Sequence, residues 1–244
     1  TRARRTVLEM LAASTDLIMI YVALETASIS SYLLAGFYSG ETRSSEAGMK
    51  YFVYGAFTTA VMLYGMSLLY GVTGQTNLYL LGSAFSGQQI AVVQPLLLLA
   101  AVLITVGFAF KTSIVPYHFW TPDVYEGAPT PITAFLSVGS KAASFAMLLR
   151  LFFEALPAAN ADWALLFYAL AILTMTVGNL AALTQSNLKR LLAYSSIAHA
   201  GYVLIGVVAA TSVPQVGLKA TLIYLLVYAF MQIGAFGVVY VLQS

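Results

Sequence analysis

The feature that most restricts this chain is its long apolar runs, which carry almost no charge. They cover about Asp16 to Phe37, Ser45 to Tyr70, Val92 to Val115, Thr130 to Phe153, Asp162 to Leu183, Leu188 to Ala209 and Gly217 to Leu242. Each is about 20 residues or longer, enough to cross roughly 30 Å of hydrocarbon at 1.5 Å per residue. The runs are continuous, whereas a membrane β-strand alternates polar and apolar residues. The expected fold is therefore all-α, a polytopic transmembrane helix bundle. Of the 244 residues, 60% are hydrophobic and 8% charged, against about 25% charged in a soluble domain. That excludes a soluble enzyme and a disordered tail. A net charge of +2 offers no field to a polyanion, so no nucleic-acid partner is expected. With no cysteine, disulfides and iron–sulfur ligation are excluded. No helix pairs histidines or carboxylates at ligand spacing, so no metal site is expected.

The segment Thr1 to Arg5 carries three arginines, and the apolar stretch Val7 to Ala13 is too short to span. Residues 1–14 read as the tail of an incomplete helix. Gly71 to Gln89 reads as a charge-free loop. We name side A the side where the first span begins and side B the side where it ends. Side B receives Arg43, Lys189 and Arg190, and side A receives Arg150 and Lys219. With the N-terminal arginines assigned to the incomplete helix, the loop charges make side B cytoplasmic, and with those arginines in a true loop the orientation reverses; the first assignment is favoured.

Four charged residues interrupt the apolar runs. An ionised side chain near the bilayer centre costs several kcal/mol and needs a partner or water. Glu25 lies about 12 residues, roughly 18 Å, from the B end of the first span, and Lys141 about 11 residues, roughly 17 Å, below that of the fourth. Lys111 lies on the third span, five residues before Pro116, and Lys50 is shallower on the second. A single ion pair would lock two helices and do nothing more, and Lys50 could snorkel. One glutamate and two lysines on three helices leave a surplus lysine, which favours function. Burial disfavours the charged form of either side chain, and proximity of the two restores it. A Glu–Lys pair that can separate is therefore a proton switch.

Pro116 removes a backbone hydrogen bond and predicts a break in the third span. Interrupted helices beside charged residues mark ion sites in transporters. His118, flanked by Tyr117, Phe119 and Trp120, reads as part of an interfacial aromatic belt, where it either caps carbonyls or serves as a candidate relay group. His199, within Tyr194-Ser-Ser-Ile-Ala-His199-Ala-Gly201, is either a second candidate relay group or a bond between helices. Lys189–Arg190 reads as positive-inside anchoring. Asp123 and Glu126 read as loop residues, solvated or paired with loop donors.

The stretch Phe110-Lys-Thr-Ser-Ile-Val-Pro-Tyr-His-Phe-Trp-Thr-Pro-Asp-Val-Tyr-Glu-Gly-Ala-Pro-Thr-Pro-Ile-Thr-Ala-Phe-Leu-Ser137 closely resembles the antiporter-like chains of respiratory complex I (NADH–quinone oxidoreductase). These are shared with the multisubunit sodium/proton antiporters. Trp120-Thr-Pro-Asp-Val-Tyr-Glu-Gly-Ala-Pro129 is similar to the chain N (subunit 2) branch. Leu24-Glu-Thr-Ala-Ser-Ile-Ser-Ser-Tyr-Leu-Leu-Ala-Gly36, Ser45-Glu-Ala-Gly-Met-Lys-Tyr-Phe52 and Asn187-Leu-Lys-Arg-Leu-Leu-Ala-Tyr-Ser-Ser-Ile-Ala-His-Ala-Gly-Tyr202 agree with that branch.

The resemblance implies a fold of two inverted repeats of about five helices each, in chains of about fourteen helices. Each repeat has one interrupted helix, here near Pro116. It implies that Glu25 is the glutamate of the first half-channel, Lys50 the lysine on the next helix, Lys111 the lysine on the broken helix and Lys141 the central lysine. His199 falls on the helix that the repeat pairs with the one bearing Glu25. By the same resemblance, residues 15–155 form most of a first repeat and 161–244 part of a second. The sequence reads as an internal fragment, with a second broken helix expected beyond Ser244.

The implied function is proton translocation through a Glu/Lys relay, coupled to electron transfer from NADH to quinone in other subunits. No cofactor is expected on this chain. NAD, FMN, iron–sulfur clusters and quinone belong to partner chains. The implied partners are other membrane-arm subunits and the lipid bilayer, and the implied location is a bacterial inner membrane or an equivalent energy-transducing membrane. The alternatives are a sodium/proton antiporter subunit and an assembly subunit with a vestigial channel. The intact charge set argues against the last.

Overall fold

The computed structural model describes residues 2–38, 40–85 and 90–243. Among them, seven helices are long and apolar enough to cross a membrane, as the apolar runs predict. A short helix α1 (Arg2–Ala13) precedes the first span, α2 (Leu17–Ala35). Asp16 caps α2 by accepting from the amides of Ile18 at 2.9 Å and Met19 at 3.4 Å, which meets donors that a helix start leaves open. The second span, α3 (Thr42–Thr73), has 32 residues, about 48 Å at the helical rise, so it outreaches the hydrocarbon. It stops at Gly74, whose φ of 66° is a left-handed cap that glycine adopts without a Cβ penalty.

The segment 71–89, expected as loop, is helical over α4 (Leu78–Ala84), while 86–89 lie outside the described residues. Asn77 starts α4 by accepting from Tyr79 N and Leu80 N. The Leu17 amide donates to Thr76 O and the Leu78 amide to Thr15 O, both at 2.8 Å. The side-A turn is thereby tied to the foot of α2.

The third span is α5 (Ile90–Thr112), followed by α6 (Trp120–Gly127). Asp123 and Glu126 are thus helical rather than loop residues. Pro122 is tolerated because it lies in the first turn of α6. The fourth span, expected as one helix, is one helical span of 26 residues, Thr130–Ala155, that carries two π-turns. It comprises α7 (Thr130–Phe135), a π-helical turn at Leu136–Ser140, α8 (Lys141–Arg150) and a second π-turn at Leu151–Ala155. The remaining spans are α9 (Asn160–Leu183), α10 (Leu188–Ser212) and α11 (Pro214–Gln243).

Small residues set the closest helix contacts. A Cβ built on Gly178 of α9 would lie 2.6 Å from the backbone nitrogen of Ala198 on α10, so glycine is required there for the backbones to approach. A large apolar core joins α1, α2, α5, α8 and α9. A second, aromatic cluster of Tyr32, Tyr51, Phe110, Trp120, Tyr125 and Phe236 lies around α6. Leu165, Leu183, Phe230 and Val241 are exposed, as apolar side chains facing lipid should be.

Candidate functional site

The break begins three residues earlier than the Val115 end read from the sequence. Helix α5 stops at Thr112 because Ser113 takes a φ of 64°, a left-handed conformation that costs a non-glycine residue about 1 kcal/mol or more. The Val115–Pro116 peptide is cis. Buried backbone groups must find partners, and they do. The Val115 amide donates to Thr174 Oγ1 at 3.1 Å, and Trp120 Nε1 donates to the Phe110 carbonyl at 2.8 Å. Thr121 Oγ1 donates to Ser113 Oγ at 2.8 Å. The opened turn is therefore a built feature, stitched by side chains from α6 and α9.

Lys111 occupies the last turn before this break and is 3% exposed. Its Nζ lies 5.1 Å from the Tyr51 ring centroid, 5.3 Å from Tyr32 and 5.7 Å from Phe110. Three rings at that range stabilise an ammonium through their negative faces. Glu25 is half-buried on α2, with Oε1 buried and lacking a hydrogen-bond partner among the described residues. It lies within electrostatic range of Tyr21 and Tyr32. Tyr32 therefore stands in the surroundings of both Glu25 and Lys111.

Lys141, 2% exposed, is the first residue after the π-turn. Its Nζ donates to Ser196 Oγ at 2.5 Å and Ser196 O at 3.0 Å. The depth match with Glu25 thus brings no contact between the two, because Lys141 turns towards α10. His199 is half-buried there, with Nδ1 at 2.5 Å from the Tyr224 hydroxyl and its ring against Tyr202 and Tyr228. His118 is 6% exposed, so it is not a member of a surface belt. Its Nδ1 has no hydrogen-bond partner among the described residues. Its neighbour Phe119 carries the exposure instead.

Lys50 lies apart from the buried groups. At 37% exposure it pairs with Asp123 at 2.6 Å and Glu46 at 2.7 Å. Arg190 binds Asp123 at 2.7 Å and Glu126 at 3.0 Å. Together with Arg43 these residues line a cavity of about 270 Å³ at the side-B ends of the helices. Lys189 and Arg190 thus face protein rather than headgroups. Lys189 donates to the carbonyls of Glu126 and Ala128.

Burial pushes the Asp123 carboxyl up, but hydrogen bonds and charge from Lys50 and Arg190 outweigh it and hold the group below the usual carboxylate range. A lowered folded-state value adds stability above the unfolded value of about 4 and loses it as pH falls through the folded value. The mouth cluster should therefore hold from neutral pH down to about pH 4 and loosen below it. Thermal melts of the full-length protein from neutral pH to below about pH 4 should show the loss, and Asp123→Asn should flatten it. An Asp123→Asn melt that keeps the wild-type acid dependence would remove Asp123 as its source.

Tyr32 thus lies beside Lys111 and within electrostatic range of Glu25, while Lys141 engages α10, the helix that carries His199. The sequence reading missed Tyr32, Tyr51, Ser196 and Tyr228 as parts of these groups, and Asp123 as the partner of Lys50. A signal existed for α11, where Tyr224, Tyr228 and Gln232 recur every fourth residue and so share one face. Among the described residues no group of three or more histidines, aspartates or glutamates is placed to hold a metal ion.

Broken helix, π-turn and buried ionisable groups define an integral multi-pass membrane protein with charges stationed between its helices. The chain belongs to the NADH:quinone oxidoreductase/Mrp antiporter transmembrane family, whose model matches residues 14–244. It is 54% identical over 230 residues to NADH-quinone oxidoreductase subunit N of Trichlorobacter lovleyi, covering 94% of this chain and 46% of that one. A chain of respiratory complex I from Thermus thermophilus superposes with a TM-score of 0.80 at 40% identity, covering 97% of this chain and 49% of that one. A chain of the Mrp complex from a Dietzia species shares the fold, with a TM-score of 0.83 at 24% identity over 96% of this chain and 42% of that one. The chain thus spans about half the length of the relatives it matches.

Proposed function

We propose that this chain forms the first half-channel, and part of the second, of a proton-translocating membrane subunit of NADH–quinone oxidoreductase. Residues 15–155 supply most of the first antiporter-like repeat and 161–244 part of the next. The observation that carries the reading is the burial of Lys111 at a stitched helix break, beside the Tyr32 that also neighbours Glu25. Lys50 with Asp123 forms the mouth on side B. Glu25 and Lys111 exchange protons with it, and Lys141 and His199 carry the charge onward. No redox step belongs to these residues. NAD, FMN, iron–sulfur clusters and quinone reside in partner subunits of the complex, in an energy-transducing membrane.

The physical basis is that burial disfavours charge on either type of group, while a neighbouring charge of opposite sign restores it. Moving one proton therefore changes the preferred state of the next site. The low identity to the Mrp chain leaves sodium/proton antiport as the weaker alternative. Vesicles holding the assembled complex separate the two. NADH-driven proton uptake is expected to persist unchanged in sodium-free medium. Uptake that requires sodium would replace this reading with the antiporter one.

A further inference from the structure

The hydroxyl of Ser196 collects more than its share of polar partners. It receives Lys141 Nζ at 2.5 Å and the Tyr228 hydroxyl at 2.8 Å, and the Tyr125 hydroxyl lies 3.4 Å away. These side chains come from α8, α11 and α6, and Ser196 itself is fully buried on α10. Tyr125 meets the edge of Trp120 at 6.3 Å, and Trp120 stacks on Tyr51 at 4.3 Å with planes 10° apart. Tyr51 is the ring 5.1 Å from Lys111 Nζ. A continuous set of contacts thus runs from one buried lysine to the other, with Ser196 at its one hydroxyl junction with Lys141.

We propose that Ser196 is a positioning residue of the relay, holding the Lys141 ammonium and tying its protonation state through Tyr125 to helix α6. The proposal rests on the proton-relay reading above. The donor count gives it content. A serine hydroxyl has one proton and two lone pairs. With Lys141 charged, the lysine and Tyr228 fill both lone pairs, and the serine proton is left for Tyr125. With Lys141 neutral, its own lone pair can accept the serine proton, and the hydroxyl turns away from Tyr125. No covalent bond to hydrogen breaks in this step; the O–H bond rotates. The Lys141 charge is in this way reported to the helix that closes the Lys111 break.

The test uses the full-length subunit in its assembled complex, reading the rate of proton uptake together with the rate of NADH oxidation. Ser196→Ala should lower the pumping rate by about tenfold, the weight of a hydrogen bond to a charged group, and Ser196→Thr should restore it. Tyr125→Phe removes one oxygen and little volume, so it serves where the threonine variant does not assemble. It should impair pumping, and Ser196→Ala combined with Tyr125→Phe should do no worse than the more severe single change, because both act through one bond. Lys141→Ala is the control. If it stops pumping while Ser196→Ala pumps normally, or threonine assembles without rescue, or the two losses multiply, the Ser196 assignment is overturned and the relay stands. If Lys141→Ala pumps normally, the relay reading itself falls, and the assignment with it.

Discussion

Lys111→Ala in the full-length subunit is expected to cut NADH-driven proton uptake by about tenfold or more, a floor set below the roughly 10²–10⁴-fold that a positioned proton-transferring side chain contributes. Glu25→Ala should match it. The reason is positional. Lys111 is almost wholly enclosed at the end of α5, where Ser113 turns the chain out of the helix, and three aromatic rings face its ammonium. No neighbouring lysine or arginine on α5 could take its place, since the rest of that helix is apolar or uncharged. Lys111→Arg keeps the charge but spreads it over a planar fork that does not readily deprotonate. It should therefore fold and still pump poorly. That separates proton exchange from simple charge balance. Vesicle uptake measured against NADH oxidation in the same preparation is the decisive readout. Near-normal pumping in both alanine variants would remove Lys111 and Glu25 from the path.

How much of this was legible in the sequence follows from which forces act locally. The seven spans were readable because hydrocarbon demands an unbroken apolar run, and that demand is written residue by residue. The break near Pro116 was readable for the same reason, since proline lacks a donor wherever it stands. Its true start was not, because it depends on Ser113 adopting a left-handed backbone that only partners from α6 and α9 support. The π-turn before Lys141 left no trace either. It adds a residue to a turn without changing any residue's hydropathy.

Charge was legible as cost but not as partnership. Lys50 was readable as the shallower of the two lysines, but not that it meets Asp123 at an open mouth while Lys111 is sealed among rings. Lys189–Arg190 had the pattern of a membrane anchor. The pattern records only that two cations sit at the start of a span. Which way they point is decided by α6, which brings Asp123, Glu126 and two helix-end carbonyls to them from more than 60 residues away in the chain.

That inward turn of Lys189 carries a second large expected effect. Its ammonium donates to Glu126 O at 2.9 Å and Ala128 O at 2.7 Å, and the residue is 7% exposed. The last carbonyls of a helix have no partner within it, and a cation there also suits the negative end of the helix dipole. Lys189 is thus the C-terminal cap of α6. Asn187 and Arg190, from the same turn of α10, hold the Glu126 and Asp123 side chains. Removing the ammonium forfeits two charge-assisted bonds, one part-buried and one buried, about 3 kcal/mol together. Lys189→Met keeps the length of the side chain and loses only the charge and donors. It should raise amide hydrogen exchange in α6, residues 120–127, by about a hundredfold. Because Trp120 and Tyr125 are the α6 side chains that close the break and reach Ser196, proton pumping should fall with it. Lys189→Arg, which can still donate to both carbonyls, should recover most of the protection. Exchange in α6 that is unchanged by Lys189→Met would mean that the helix is held by its side-chain ion pairs alone.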